Sequence, residues 1–346
     1  MKAVSKVIKG VPLAALLALS GAHAHAAENF YKGKQITMIV GSGVGGGYDT
    51  YARVFARFLS NHIPGRPAIV AKNFPAAGGL AAADSLYTAP KDGLTIAALT
   101  NGVAMDPLFS DKGVHFDALK FGWLGSIGKL QNICATWHTS PIKTIQQAQQ
   151  QQVVVSGAGA SSNTVIVPKI LNALIGTKFK VVAGYDPGSG LTLSVENGEV
   201  QGICGLAWST IKASRPDWIR DHKLNILLQI TLTKMADLPN VPSALDLVKD
   251  PAKKKTLELI LMRQEMGRPF AAPPGTPPAR LAILRKAFDQ TVKDPKFLAA
   301  AAKAHMQIDP ITGAQIEALL KKAYGAPKNI VRAAATLVEP ASMRKK

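Results

Sequence analysis

The chain has 346 residues, 47% of them hydrophobic and 18% charged, and its 41 Lys and Arg against 22 Asp and Glu give a formal net charge of +19. That length exceeds a single typical core and predicts two domains. The basic residues are scattered, with no aromatic–basic stripe or recognition-helix signature, so the charge excess is read as solvated surface and a nucleic-acid partner is excluded.

Residues 1–26 read as a secretory signal. Lys2, Lys6 and Lys9 precede an apolar stretch over 11–19 that is too short to span a bilayer, and Ala22-His23-Ala24 overlaps Ala24-His25-Ala26 as paired small-x-small cleavage sites. No cysteine follows, which argues against a lipid anchor. The mature, exported chain is expected to begin near Ala27.

A strand over 35–40 runs into Gly41-Ser42-Gly43-Val44-Gly45-Gly46-Gly47-Tyr48-Asp49. The apolar positions Val54, Phe55, Phe58 and Leu59 then mark one buried face of a helix from Tyr51. Asp49 stands where an N-cap belongs, and that role is favoured over ligand contact. Strand, glycine loop and helix N-terminus together form an anion site, because free N–H groups and the positive helix end converge there. Gly41-x-Gly43-x-x-Gly46 fits the dinucleotide fingerprint only as a pattern. The second strand, over 67–71, ends in Lys72-Asn73 without the carboxylate that would hold a ribose, and no Gly-Lys-Ser/Thr closes a Walker loop. A further glycine turn containing Ala77 and Gly78 leads into a helix over 80–87. A third strand, over 94–99, delivers Thr100 and Asn101 to the carboxyl edge where open α/β sheets bind ligands. This β-α-β-α-β order implies a parallel sheet covered by helices.

A second α/β unit begins after Pro141. The glutamine-rich stretch 146–152 is read as an exposed helix end. A strand over 153–155 leads to Ser156-Gly157-Ala158-Gly159-Ala160-Ser161-Ser162-Asn163 and a helix with Val165, Ile166, Ile170, Leu171 and Leu174 on its apolar face. Two small-residue loops, one per half, suit a cleft that clamps an anion from both sides. Glycine and alanine let the ligand approach backbone N–H groups, while Ser42, Ser161, Ser162 and Asn163 add adaptable donors. Strands follow over 178–182, 200–204 and 224–230. The C-terminal part is helical, with Leu281, Leu284, Phe288 and Val292 on one face, a capping box at Thr312 and Gln315, and a last helix from Pro327.

No residue stands in a catalytic setting: Gly-x-Ser-x-Gly is absent, and the mature histidines show no metal-ligand spacing. No cofactor and no metal are expected. Tyr48 and Trp208 either wall the pocket or pack in the core. Cys134 and Cys204 are expected as buried free thiols in preference to a disulfide.

Several stretches, in one order from Tyr31 to about Leu337, resemble the substrate-binding proteins of tripartite tricarboxylate transporters, the Bug family. They are Gly45-Gly46-Gly47-Tyr48-Asp49 with Arg53, Asn73-Phe74-Pro75-Ala76-Ala77-Gly78-Gly79, Pro90-Lys91-Asp92-Gly93-Leu94-Thr95, Leu238-Pro239-Asn240-Val241-Pro242-Ser243 and Ala272-Pro273-Pro274-Gly275-Thr276-Pro277-Pro278. The chain departs from the family at 184–190 and 200–208, which bears on ligand identity more than on fold. The resemblance implies an α/β, two-domain periplasmic-binding-protein fold of type II, each domain a mostly parallel sheet flanked by helices with the ligand cleft between. It implies domain 1 at 27–135 plus 265–346 and domain 2 at 136–264, with the last helices returning to domain 1 and crossings near 125–135 and 262–270. It also places Tyr185 at the cleft border.

The resulting expectation is a monomeric periplasmic protein, not an enzyme, that captures a small organic carboxylate by hinge closure and delivers it to membrane permease subunits. The expected ligand residues are Ser42, Gly43, Val44, Gly46, Tyr48, Asp49, Ala77, Gly78, Thr100, Asn101, Gly157, Ala158, Gly159, Ser161, Ser162, Asn163, Tyr185 and Trp208. The alternatives are a ligand sensor that presents its closed form to a receptor, and a secreted hydrolase using Ser161 or Ser162.

Overall fold

The computed structural model describes residues 30–45, 47–110, 113–159, 162–186 and 189–338. The signal reading of 1–26, and Gly46 and Ser161 of the two loops, lie outside the described residues.

Two mixed sheets carry the fold. The first runs β11 (Ile311–Thr312), β4 (Gly122–Ser126), β10 (Pro269–Ala272), β3 (Thr95–Ala98), β1 (Gln35–Val40), β2 (Ala68–Asn73). The second runs β7 (Phe179–Ala183), β6 (Val153–Gly157), β8 (Gly202–Ala207), β5 (Asn132–Trp137), β9 (Leu224–Ile230). Each holds a parallel block, β2-β1-β3 in one and β7-β6-β8 in the other, as β-α-β order requires. The antiparallel pairings belong to strands added around the crossings: β10 beside β3 and β4, β11 beside β4, and β5 beside β8 and β9. The chain leaves the first sheet after β4 and enters β5 through 127–131. It returns to β10 through 266–268, so outgoing β4 and incoming β10 lie side by side and opposed.

Register explains why the loops gather. Val40 lies opposite both Asn73 and Ala98, so β1, β2 and β3 end at one level and release their following loops along one edge. In the second sheet Gly157 lies opposite Ala183, which brings the turns after β6 and β7 to a common edge.

The first helix spans Gly47–His62 and buries Tyr51, Ala52, Val54, Phe55, Ala56 and Leu59. Phe55 meets Phe270, Phe288 and Phe297 at ring-centre distances of 4.7, 5.1 and 5.7 Å, joining this helix to β10 and to the C-terminal helices Pro278–Thr291 and Pro295–Lys303. The N-cap expectation for Asp49 is corrected here. The helix starts at Gly47, so Asp49 is in its first turn and its carboxylate reaches back to accept the Gly45 N–H at 2.9 Å. The Pro251–Glu265 helix is buried on all sides, from Leu257 through Gln264 apart from Glu258, as a helix sandwiched between layers must be.

The capping box at Thr312 and Gln315 is present, and the Gly313–Tyr324 helix it opens packs on β4. The last helix, Lys328–Val338, does not stay with the first sheet. Its buried Ile330 and Ala334 belong to a core shared by both halves, and it packs on the Pro251–Glu265 and Asn163–Ile175 helices as well as on the turn Asp106–Phe109. The expectation of free thiols is also corrected: Cys134 of β5 and Cys204 of β8 are register partners and form a disulfide. No helix among the described residues is long and apolar enough to cross a membrane.

Candidate ligand-binding cleft

A cleft of about 630 Å³ opens between the sheet edges, large enough for a small organic molecule. From the first half it is lined by Tyr48, Gly78, Thr100, Asn101, Asp106 and Phe109, and from the second by Ala158, Gly159, Ser162, Asn163, Leu206 and Arg263. Leu130 and Asn132, where the chain passes between the sheets, complete the floor. Leu80, Val114, Ile166, Leu191 and Val338 make much of the remaining wall apolar.

The polar groups are held by neighbours that fix their direction. The Tyr48 hydroxyl donates to Asn101 Oδ1 at 3.2 Å and accepts from the Asn101 N–H at 3.1 Å. Burial pushes that hydroxyl above its ordinary range, against the opposing pull of the Asn101 bond, and keeps it protonated. Thr100 donates to the Gly78 carbonyl at 3.0 Å, tying the β3 loop to the glycine turn. That turn needs glycine at position 79, where φ is +102° and a Cβ would stand 2.6 Å from Thr100 Oγ1. On the opposite wall Ser162 opens the 13-residue helix Asn163–Ile175, so its positive end points to the cleft. Thr164 Oγ1 accepts the Ala158 N–H at 3.0 Å and lies 2.9 Å from the Ser162 hydroxyl, bracing the loop.

Three features orient the cleft toward a ligand rich in acceptors. Arg263 is only 6% exposed, and its Nη2 donates to Asn163 Oδ1 at 2.6 Å while Nη1 lies 3.7 Å from Asp106. Asn101 Nδ2 and Asn132 Nδ2 are buried donors with no hydrogen-bond partner among the described residues. Such a donor costs about 1–3 kcal/mol unless an acceptor meets it. Asp106 supplies the one acidic side chain in the lining among the described residues. Burial pushes its carboxyl up and the Arg263 charge pulls the other way. No histidine lines the cleft among the described residues, and the Ser162 hydroxyl meets Thr164, not a base.

The expected ligand residues fall into several groups. Tyr48, Gly78, Thr100, Asn101, Ala158, Gly159, Ser162 and Asn163 line the cleft. Ala77 belongs to the short turn Ala76–Gly79 beside it. Ser42, Gly43 and Val44 are not among the lining residues, and Val44 is 79% exposed. Asp49 is drawn away from the cleft: Arg53 Nε donates to it at 2.8 Å, Asn73 Nδ2 at 2.8 Å, and the Gly45 N–H at 2.9 Å. Burial opposes its ionisation, but those donors prevail and hold its carboxyl below the usual carboxylate range. Gly157 serves packing, since a Cβ there would stand 2.6 Å from Val181 and 2.8 Å from Val165. The Tyr185 hydroxyl donates to Glu199 at 3.1 Å. Trp208 is buried in the second core, with its indole N–H donating to Asp237 at 3.1 Å.

Sequence reasoning did not single out Arg263, Asn132 or Asp106. The available signal was Arg263 itself, a guanidinium directly after the apolar run Leu259-Ile260-Leu261-Met262, in the half of the helix that has no solvated face. A charge that a helix cannot turn to water needs a partner inside.

With this geometry in view, residues 51–335 match the family described as Tripartite tricarboxylate transporter family receptor. A UPF0065 protein of Bordetella bronchiseptica is 24% identical over 289 residues, covering 81% of this chain and 79% of that protein. Two solved structures from Rhodopseudomonas palustris share the fold. One, solved with adipate, aligns at a TM-score of 0.66 and 17% identity over 88% of this chain and 97% of its own. The other, MatC with bound malate, aligns at 0.63 and 18% identity over 88% and 99%. The chain thus belongs to the tripartite tricarboxylate transporter receptor family and is a solute-binding protein, not an enzyme.

Proposed function

We infer that this protein captures a small organic carboxylate in the periplasm and presents it to the membrane permease subunits of a tripartite tricarboxylate-type transporter. The observation that carries the reading is the convergence of Arg263 with two unpartnered buried amide donors, Asn101 Nδ2 and Asn132 Nδ2, on one cleft. Carboxylate oxygens satisfy such donors, and charge-assisted bonds of this kind are roughly twice as strong as neutral ones. Adipate and malate in two structural relatives agree with that chemistry. The apolar wall from Leu80, Phe109, Val114 and Leu191 favours a ligand with a hydrocarbon body.

In this reading residues 27–135 with 265–346 form one domain and 136–264 the other, the last helix packing across both, and closure about 127–131 and 266–268 desolvates the carboxylate between them. The two glycine-rich loops contribute unequally: Gly159, Ser162 and Asn163 face the ligand, while Ser42, Gly43 and Val44 do not line the cleft. Residues 1–26 direct export and are removed.

Calorimetry on the mature protein tests the reading with adipate, malate, hexanoate and benzoate, each against its amide. Binding of one or more acids with at least a tenfold preference over the amide is expected. Equal affinity for acid and amide, or no binding of any acid, would remove the carboxylate assignment.

A further inference from the structure

Arg268 stands at the return crossing, one residue before β10, and is 4% exposed. Its guanidinium lies 3.7 Å from the centre of the Tyr51 ring and 6.0 Å from that of Tyr48. Nη2 donates to Ser209 Oγ at a long 3.5 Å, and Nε and Nη1 are buried with no hydrogen-bond partner among the described residues. Burial pulls its basicity down, and the groups facing it from the packed elements are the hydroxyl-bearing rings of Tyr48 and Tyr51, with no carboxylate beside it among the described residues. Arginine stays charged even so. An aromatic face offsets part of the cost of burying a cation, but far less than a carboxylate does. Arg268 is therefore a desolvated positive charge without its counter-ion.

Its position shows where that counter-ion belongs. Tyr48 and Thr210 line the cleft, and Ser209, the hydroxyl that Arg268 reaches, is the residue before Thr210. The guanidinium thus sits one layer behind the cleft floor, screened from solvent, while Arg263 on the wall already has Asp106 3.7 Å away. We propose that Arg268 is the counter-charge of the bound ligand, setting the preference for a carboxylate over a neutral molecule through the floor made by Tyr48 and the Ser209–Thr210 step. It acts as a positioning residue, by its field and through these neighbours, without lining the cleft. The proposal rests on the carboxylate reading above.

This arrangement separates stability from binding. Without ligand, the buried charge is a liability, so Arg268→Met should leave the melting temperature unchanged or raise it. With ligand, a unit charge about 6–8 Å away at an effective dielectric of about 20 corresponds to roughly 30- to 100-fold in affinity.

The experiment measures calorimetric affinity and unliganded melting temperature for wild type, Arg268→Met and Arg268→Lys. The probes are adipate, hexanoate and benzoate, each beside its amide. Arg268→Met should lose roughly 30- to 100-fold for the acids that wild type binds, and less than about threefold for their amides, with melting unchanged or raised. Arg268→Lys, which keeps the charge, should recover most of the loss. Should Arg268→Met not fold, Arg268→Gln, which keeps a polar contact to Ser209, carries the same comparison. Acid affinity unchanged in the neutral variants, or acid and amide falling together with the melting temperature, would overturn the proposal while leaving the carboxylate reading intact. Failure of wild type to bind any of the acids would overturn both.

Discussion

The loops after β1 and β6 follow one plan, a strand releasing small residues into a helix N-terminus, yet the structure uses them differently. After β6, Ala158, Gly159, Ser162 and Asn163 line the cleft, and Asn163 accepts from Arg263. After β1, the segment Ser42–Gly43–Val44 is exposed at Gly43 and Val44 and does not line the cleft, and the helix behind it carries Asp49 in a closed set of bonds from Gly45, Arg53 and Asn73. Among the described residues of that first device, Tyr48 alone lines the cleft. Free N–H groups at a helix start make an anion site possible. Whether one forms depends on what the nearest carboxylate does. In the first loop Asp49 is itself the anion, already placed against the helix start. The second helix has no acidic residue in its first turn.

The largest effect is expected where the two loops are compared by the same substitution. A Cβ at Gly159 or at Gly43 would meet nothing within 4 Å, and neither glycine has a positive φ, so valine should be tolerated by the fold at both. Gly159→Val places its branches in the cleft and should reduce affinity by at least about a hundredfold, comparable with losing one charge-assisted contact. Gly43→Val should change it less than about threefold. Calorimetry beside circular dichroism reads both, and similar losses in the two variants would erase the distinction between the loops.

A smaller effect, of opposite kind, is expected at Asp49. Asp49→Ala removes the carboxylate that serves Gly45 N–H, Arg53 and Asn73, and should cost about 1–2 kcal/mol of stability with affinity nearly unchanged. The pH dependence has a definite sign. A carboxyl held below its ordinary range stabilises the fold above that range, near pH 4, and the contribution is lost as pH falls through the lowered folded value. Wild type should therefore lose more stability than Asp49→Asn between pH 5 and acid, followed by thermal melts across that interval. A large affinity loss in Asp49→Ala with unchanged melting would instead make Asp49 a ligand group.

Much of this architecture is legible in the chain itself. Glycine and proline punctuation bounds β1, β3, β6 and the helices between them, and period 3.6 reveals the buried face around Phe55. The start of the first helix was hidden because Gly47 and Tyr48 carry no helical signal, and the turn is secured by Asp49 bonding back to Gly45. Short β4, β10 and β11 gain their identity from pairing with one another across sequence separations that no local pattern encodes. The cleft was half readable. Its small-residue loop and Thr100-Asn101 lie beside recognisable strand ends, whereas Asn132, Arg263 and Arg268 occur in apolar stretches read only as crossings. Their role comes from burial without a partner, which is a property of packing. The Cys134–Cys204 bond was similarly hidden until β5 and β8 were seen to be neighbours.

The central claim is that a carboxylate lies between the two sheets on the donors of this cleft. A crystal structure of the mature protein with the tightest-binding acid from the calorimetric panel tests it directly. Carboxylate oxygens are expected within hydrogen-bonding distance of Arg263, Asn101 Nδ2 or Asn132 Nδ2, with Gly159 against the ligand and Val44 still outside. A ligand seated elsewhere, for example on the basic groove of Arg285, Lys286 and Lys293, would contradict the account.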